Sequence, residues 1–479
     1  MRVAIIGAGL AGLTTAWQLH QEAPDTEVDI FEASDRIGGK LYTVPFHSGP
    51  TDMGAEAYLN FRADATDFFK QLGLADSLVY PSGLPSSFYA AGQLHDMVDD
   101  TIMGIPAAST SIKDLIDAET AARIDAEDQG PGIEWEVDGP DISLGDLISQ
   151  RYGELVNSRL VSALQGGVYS ARSEDLGIRA TLPQLARTFD EMALAGEKIS
   201  LKAAIEKILS QRQRNNRNNH ERGYRPHVFA TFKGGYAQVY ETLAEASQAR
   251  IYVDAFISGI TDSAQGYALR GGGEGYYDAV VVATPAPTTS LLLKTIAPDI
   301  SPHFSTIPLA SSVVVGMKFA SDRGLPDNSG ILVATDEVDI KAKAFTFSSK
   351  KWPHLGSRGG ALVRASFGRY KDDEICRADE DVLVDHALAD LKKITGFDGI
   401  AAGLDEIFVQ RWFGGLPVYG PGHLETVAAI TEGLAHYPGL YATGAWAQGV
   451  GVPAVIAHAR GVAHTICGNA EPNPALAES

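Results

Sequence analysis

A strand, a glycine turn, a helix and a second strand can be read from the first 32 residues, and together they make a βαβ unit. Residues 2–7 (RVAIIG) form a short continuous apolar run ending in glycine, the pattern of a buried parallel strand. Residues 10–21 carry helical spacing through Leu13, Ala16, Trp17 and Leu19 and stop before Pro24. A second apolar run, Val28–Phe31, ends at Glu32. The turn itself is Gly7-Ala8-Gly9-Leu10-Ala11-Gly12, a GxGxxG. Gly7 allows the tight turn, Gly9 lets backbone approach a pyrophosphate, and Gly12 lets helix and strand pack closely. The helix start offers free N–H groups to phosphate, and Glu32, 20 positions after Gly12, can accept from ribose hydroxyls. Strand, turn and acidic residue agree on a bound dinucleotide.

The charge balance closes off other functions. Lysine plus arginine number 39 against 60 aspartates and glutamates, a net charge of −21. No surplus of cations remains to neutralise a nucleic-acid backbone or to grip anionic lipid. Two cysteines, Cys376 and Cys467, share no motif spacing, so neither a metal site nor a disulfide framework is expected. The run Val3–Ala16 has the apolarity of a signal-peptide core but carries three glycines, only Arg2 before it and no small-residue cleavage pattern behind it. No stretch of about 20 apolar residues exists to span a bilayer. The expectation is a soluble cytoplasmic chain, with peripheral membrane contact left open.

Farther along, Ser143 with Asp146 reads as a helix start. Leu144, Leu147, Ile148, Leu155, Val156, Leu160 and Val161 supply an apolar helical face. Residues 100–200 are expected to be mainly helical, broken by an acidic Gly/Pro loop at 127–141. The polar stretch 211–226 (QRQRNNRNNHERGYRP) has almost nothing to bury and is expected to be a mobile surface loop. Strands are expected at 250–255, 266–270, 278–284, 311–319, 343–348 and 361–367. The last forty residues return to a strand at Gly439–Thr443, a glycine-rich turn and a helix through Val455–Ile466.

The continuation E-A-S-D-R-I-G-G-K (Glu32–Lys40) resembles the extended fingerprint of FAD-dependent amine oxidases and related flavoproteins. Arg36 can bond the diphosphate or brace the loop, and Gly38 and Gly39 let backbone pass close to the cofactor. Asp52-Met53-Gly54-Ala55-Glu56-Ala57 resembles the segment that lies against the flavin in that superfamily, and Val253 matches its adenine-contacting position. Near the C-terminus, Gly444-Ala445 leads to Gly449-Val450-Gly451-Val452-Pro453, a second glycine turn entering a helix. That form resembles the protoporphyrinogen and coproporphyrinogen oxidases, whereas amine oxidases place Gly-Glu at 444–445. Further similar segments are Phe232-Lys233-Gly234-Gly235, Arg411-Trp412 and Leu416-Pro417, so the likeness runs from residue 2 to about 465. The chain departs from the family at Ala454-Val455 and Gly235-Tyr236. Residues 101–106 (TIMGIP) and 346–354 (TFSSKKWPH) resemble the soluble Gram-positive type, which uses coproporphyrinogen III.

The resemblance implies non-covalent FAD held by Gly7, Ala8, Gly9, Leu10, Ala11, Gly12, Glu32, Ala33, Arg36, Gly39, Lys40, Gly54, Ala55, Glu56, Ala57, Val253, Trp412, Gly444, Val450, Gly451 and Val452. Arg62, Met103, Lys350, Lys351 and His354 are the candidate substrate contacts. It implies a porphyrinogen substrate, dioxygen as acceptor, peroxide as by-product and a ferrochelatase as recipient of the product. No acid–base pair and no metal site is evident. The implied reaction is the six-electron oxidation of coproporphyrinogen III. Protoporphyrinogen IX oxidation is the near alternative; a flavin amine oxidase and a redox-neutral or non-catalytic flavoprotein are the distant ones. The fold class is α/β (α+β overall): a Rossmann-like FAD-binding domain at 1–86, 226–300 and 405–479, a β-rich substrate domain at 87–92, 201–225 and 301–404, and a helical subdomain at 93–200.

Overall fold

A computed structural model of the chain describes residues 1–98, 100–221 and 227–468. It divides into two units: Met1–Tyr80, His227–Pro308 and Glu425–Ser479 form the first, Pro81–Pro226 and Leu309–Leu424 the second. Among the described residues no helix is long and apolar enough to cross a membrane.

The first unit is built on an all-parallel five-stranded sheet. Strand β1 (Arg2–Ile6) is central, β2 (Glu27–Phe31) lies on one side with Arg250–Tyr252 beyond it, and Ala279–Val282 then Leu440–Ala442 lie on the other. In chain order this is 3-2-1-4-5, the doubly wound arrangement whose ligand crevice opens at the carboxyl ends of the strands. Alternation along β1 explains why the run is apolar throughout. Val3 and Ile5 join a core with Leu13 and Trp17 of α1 (Leu10–Glu22) and Ile456 of the helix Val452–Ile466. Ala4 and Ile6 join another core with Val280, Phe304 and Trp446. A parallel strand covered on both faces has no polar side to show. One charge is nevertheless buried in it. Asp29, 1% exposed, accepts from Arg250 Nε at 2.6 Å, Arg2 Nη2 at 2.8 Å and Tyr277 Oη at 3.0 Å, linking β2 to both of its neighbours.

The second unit carries a seven-stranded mixed sheet, ordered Leu404–Pro417, Leu309–Phe319, Ala361–Phe367, Ala344–Thr346, Gly330–Val333, Ser86–Ala90 and Gln93–Asp96. Residues 405–424, expected with the nucleotide-binding segments, fall in this unit because Leu404–Pro417 pairs along Leu309–Phe319. A separate helical core gathers Leu144, Leu147, Ile148, Leu160, Val161, Leu185, Phe189 and Ile205. Ser143 starts its helix as the sequence predicts, its hydroxyl accepting from Asp146 N–H at 3.1 Å. The apolar face from 144 to 161 is not one helix, however. Gly153 at φ +103° interrupts it, and a π turn spans Asn157–Val161.

The expected loop at 211–226 is corrected in part: a helix runs Leu201–Glu221, and 222–226 lie outside the described residues. Its start is held from the acidic loop, where buried Glu127 accepts from the N–H groups of Leu201 and Lys202, both at 3.1 Å, and pairs with Arg151. With its first turn anchored, the helix carries exposed polar residues at 211–215 and 217, where nothing apolar is needed. The strand expected at 250–255 ends at Tyr252, and that at 343–348 covers only Ala344–Thr346.

Candidate functional site

In the first unit, β1 ends and the chain turns at Gly7, whose φ of +108° suits glycine. Gly7 N–H donates to Phe31 C=O at 2.8 Å, tying the turn to the end of β2. The next amide, Ala8 N–H, donates to Glu32 Oε2 at 2.8 Å, while Glu32 Oε1 accepts from the N–H and hydroxyl of Ser34 at 2.9 and 2.8 Å. Gly9 is the N-cap of α1; no side chain caps the helix and no acidic residue stands in its first turn. The N–H groups that open the helix are therefore left to a ligand.

The three fingerprint glycines differ in what surrounds them. A Cβ on Gly7 would stand 2.7 Å from Ala283 C=O, and one on Gly12 would stand 2.0 Å from Gly7 C=O. A Cβ on Gly9 would meet only Gly39 Cα, at 3.8 Å. Packing within the protein thus requires Gly7 and Gly12 and leaves Gly9 free. The space over Gly9, at an uncapped helix start, fits a diphosphate. Leu10 and Ala11, buried in the first turn of α1, contribute backbone there.

Arg36 takes the bracing role. Its Nη2 donates to Gly39 C=O at 2.8 Å and its Nη1 to Ile37 C=O at 3.2 Å, and its guanidinium lies 4.0 Å over the Tyr42 ring. That fixes Gly38 and Gly39 beside the turn, with Gly38 N–H donating to Ala8 C=O at 2.9 Å. Burial pushes the Lys40 ammonium down to about 8. Lys40 C=O accepts from Ala55 N–H at 3.3 Å, and a Cβ on Gly54 would stand 2.0 Å from that oxygen, so the 54–57 turn (Gly54, Ala55, Glu56, Ala57) is clamped to the 38–40 loop. Ala33 and Val253 are exposed, and Val253 lies where Asp254 N–H donates to Ser34 C=O and Ala255 N–H to Glu32 C=O. Residues 7–12, 32–40, 54–57 and 253 are thus joined by one hydrogen-bonded set of loops.

A second uncapped helix start belongs to the same unit. Gly451 is the N-cap of Val452–Ile466, again with no side-chain cap and no acid in the first turn. Gly444 and half-buried Val450 lie on the turn before it, and Val452 joins the core that also holds Leu10. The sequence reading missed what steadies this turn: Thr443 Oγ1 is 2.9 Å from His458 Nδ1. Burial pushes His458 down to about 4, so it is neutral near pH 7. A polar pair fifteen residues apart across a glycine turn gives no sequence signal.

The remaining candidates lie on other elements. Trp412 is in the second unit, on the strand Leu404–Pro417 opposite Ser312. Arg62 is held by Asp64 through Nε at 3.1 Å and Nη2 at 2.8 Å. Lys350 Nζ pairs with Asp322 and Asp327, both at 3.1 Å. Lys351 Nζ lies 5.1 Å from the centre of the Trp352 ring, and the Trp352 and His354 ring centres are 6.4 Å apart. Met103, half-buried at φ +49°, forms the tight turn between Thr101–Ile102 and Ile105–Pro106.

Comparison with known proteins gives concordant results. The family model for flavin containing amine oxidoreductase matches residues 10–467. A protein of Mycobacterium tuberculosis named coproporphyrinogen III oxidase is 36% identical over 456 residues, covering 94% of each chain. One of the same name from Bacillus subtilis is 28% identical over 465 residues, again 94% of each. Among solved structures, a protein from Exiguobacterium sp. assigned to the protoporphyrinogen oxidases superposes with a TM-score of 0.83 at 24% identity, covering 98% of this chain and 99% of that one.

Proposed function

The chain belongs to the flavin containing amine oxidoreductase family, and we propose that it oxidises coproporphyrinogen III to coproporphyrin III. The protein is an FAD-dependent oxidoreductase. Bound FAD would supply two-electron acceptance from carbon, with dioxygen as the final acceptor in this reading. Six electrons and six hydrogens leave the macrocycle in three rounds, and three molecules of dioxygen become three of hydrogen peroxide. The chain's own residues bind and orient. The helix starts at Gly9 and Gly451 present amides and the positive ends of their dipoles. Glu32 and Arg36 hold the loops that surround the first of these, and Thr443 and His458 hold the turn before the second. In the same reading the enzyme works in the cytoplasm and a ferrochelatase consumes its product.

The observation that carries the choice of substrate is the 36% identity to the mycobacterial coproporphyrinogen III oxidase across 94% of both chains. The likeness to the Exiguobacterium structure supports the fold alone. Side-by-side turnover of coproporphyrinogen III and protoporphyrinogen IX, read by porphyrin fluorescence, tests the reading. A higher kcat/KM for coproporphyrinogen III is expected. A preference for protoporphyrinogen IX would overturn it, and oxygen uptake with amines but with neither porphyrinogen would move the chain to the amine oxidases.

A further inference from the structure

Within the second unit, buried Lys343 and half-buried Arg369 are neighbouring cations, and among the described residues neither bonds a carboxylate. The helix Ser162–Tyr169 ends at Ser170, a non-glycine residue at φ +51°. Ser170 Oγ accepts from Lys343 Nζ at 2.6 Å, and Gly368 C=O accepts from the same nitrogen at 2.6 Å. Lys343 is only 4% exposed, and both of its partners are neutral. Arg369 follows directly, on the turn leaving the strand Ala361–Phe367. It is half-buried, and among the described residues its guanidinium makes no hydrogen bond and no ion pair; its Nε is buried without a partner. Other arginines of this unit are paired: Arg151 with Glu127, Arg179 with Asp190, Arg411 with Glu380.

Gly166 of the facing helix packs against this cation: a Cβ there would stand 3.4 Å from Arg369 Nε, in van der Waals contact. The neighbouring residue, Gln165, is fully buried with neither amide atom hydrogen-bonded. Arg172 adds positive charge near Arg369, and Asp372, whose carboxylate lies 3.8 Å from Arg172, offsets part of it. Burial and the adjacent Arg369 charge push the Lys343 ammonium down to about 7, and burial pushes the Arg369 guanidinium down to about 10. Uncompensated buried charge is destabilising, and an anion between such groups offsets it. The planar guanidinium fork matches a carboxylate.

We propose that Arg369, backed by Lys343, is a carboxylate-binding subsite and, resting on the proposed function, that it takes a propionate of the porphyrinogen. Arg62 and Lys350 suit this role less well, each already being bonded to aspartates. The test uses FAD-loaded wild type, Arg369→Gln, Arg369→Lys and Lys343→Met. Each is titrated with coproporphyrin III and with its tetramethyl ester, and each is melted in propionate against chloride at equal ionic strength. Arg369→Gln is expected to weaken tetra-acid binding by about ten- to a hundredfold and to leave ester binding unchanged. Arg369→Lys should fall between, and propionate should raise the melting temperature of wild type but not of Arg369→Gln. Wild-type affinity for the tetra-acid in both Arg369→Gln and Lys343→Met overturns the subsite; if Arg369→Gln does not fold, Arg369→Lys with wild-type affinity does so. Stabilisation by propionate through Arg369 without porphyrin binding by wild type would keep the subsite and sink the proposed function. Wild type that responds to neither ligand overturns the subsite.

Discussion

Ala8 N–H donates to Glu32 Oε2 at 2.8 Å, so the acidic residue at the end of β2 holds the glycine turn at the end of β1. Its other oxygen is bonded to Ser34. Glu32 therefore shapes the cradle proposed to hold the dinucleotide. Glu32→Ala is expected to weaken FAD binding by about 1–3 kcal/mol, the scale of a lost charged hydrogen-bond partner. It should also lower the melting temperature of the deflavinated protein, which a residue acting only on the ribose would not do. Flavin fluorescence titration and a thermal melt of the apo-protein check both parts, and unchanged FAD affinity would contradict the placement.

The contrast among glycines separates binding from folding. Gly9→Val should fold with a stability near that of the wild-type apo-protein yet purify without flavin, because its side chain enters open space over the helix start. Gly12→Ala, whose Cβ would stand 2.0 Å from Gly7 C=O, should lose stability itself. Circular dichroism melts and flavin absorbance after dialysis distinguish the two. Full FAD occupancy in Gly9→Val would remove the diphosphate from that position.

How far this was legible in the sequence depends on how local the signal was. The βαβ unit declared itself because apolar run, GxGxxG and Glu32 are contiguous and each has its own physical requirement. Ser143 with Asp146 was readable for the same reason. The helix through 211–221 was not, because its anchor, Glu127, lies 74 residues before Leu201. The strand expected through 255 ended at Tyr252 because Asp254 takes φ +52° and its N–H turns to Ser34. Lys343 and Arg369 showed no pattern, since only sheet pairing brings the two chain segments together.

Stability in acid should report Asp29. Burial pushes its carboxyl up, but the hydrogen bonds from Arg250, Arg2 and Tyr277 overcome this and hold it below its usual value of 3.8. A carboxyl depressed by folding stabilises above its unfolded pKa, and that contribution is lost as pH falls through the folded value. Asp29→Asn should therefore lower stability at neutral pH and flatten the fall that wild type shows below pH 3.8. Urea unfolding across that range measures it; an acid limb identical to that of wild type would exclude Asp29 as its source.

On the alkaline side Lys343 sets a slope of the same sign. Burial, with the adjacent Arg369 charge, lowers its pKa from 10.5 to about 7, against a small opposing effect of Cys376. Between those two values the unfolded chain holds a proton that the folded chain has released, so stability rises with pH. Lys343→Met should be more stable than wild type at neutral pH and lack that rise. Denaturant midpoints from pH 7 upward check this, and an undiminished rise in the variant would show that Lys343 is not its cause.

Glu127 and Ser200 together cap the long helix of the second unit, Ser200 Oγ accepting from Ala203 N–H at 3.1 Å. The Glu127 carboxylate accepts from Leu201 and Lys202 N–H, satisfying two of the amides a helix start leaves open. It also pairs with Arg151, the two side chains being 1% and 11% exposed. Removing one member of a buried pair leaves the other charged and unsolvated, a loss of about 3–5 kcal/mol, and Glu127→Ala adds to this two uncapped amides. Glu127→Gln keeps an acceptor for the helix but not the charge, so it should fall between wild type and Glu127→Ala. If the capping matters as the geometry indicates, hydrogen exchange in Glu127→Ala will show early loss of protection at the first turn of Leu201–Glu221, while β1 and its neighbours in the other unit exchange as before. Equal protection of that turn in wild type and Glu127→Ala would show that the helix is held by its apolar face, Leu201, Ala204, Ile205 and Ile208, without help from Glu127.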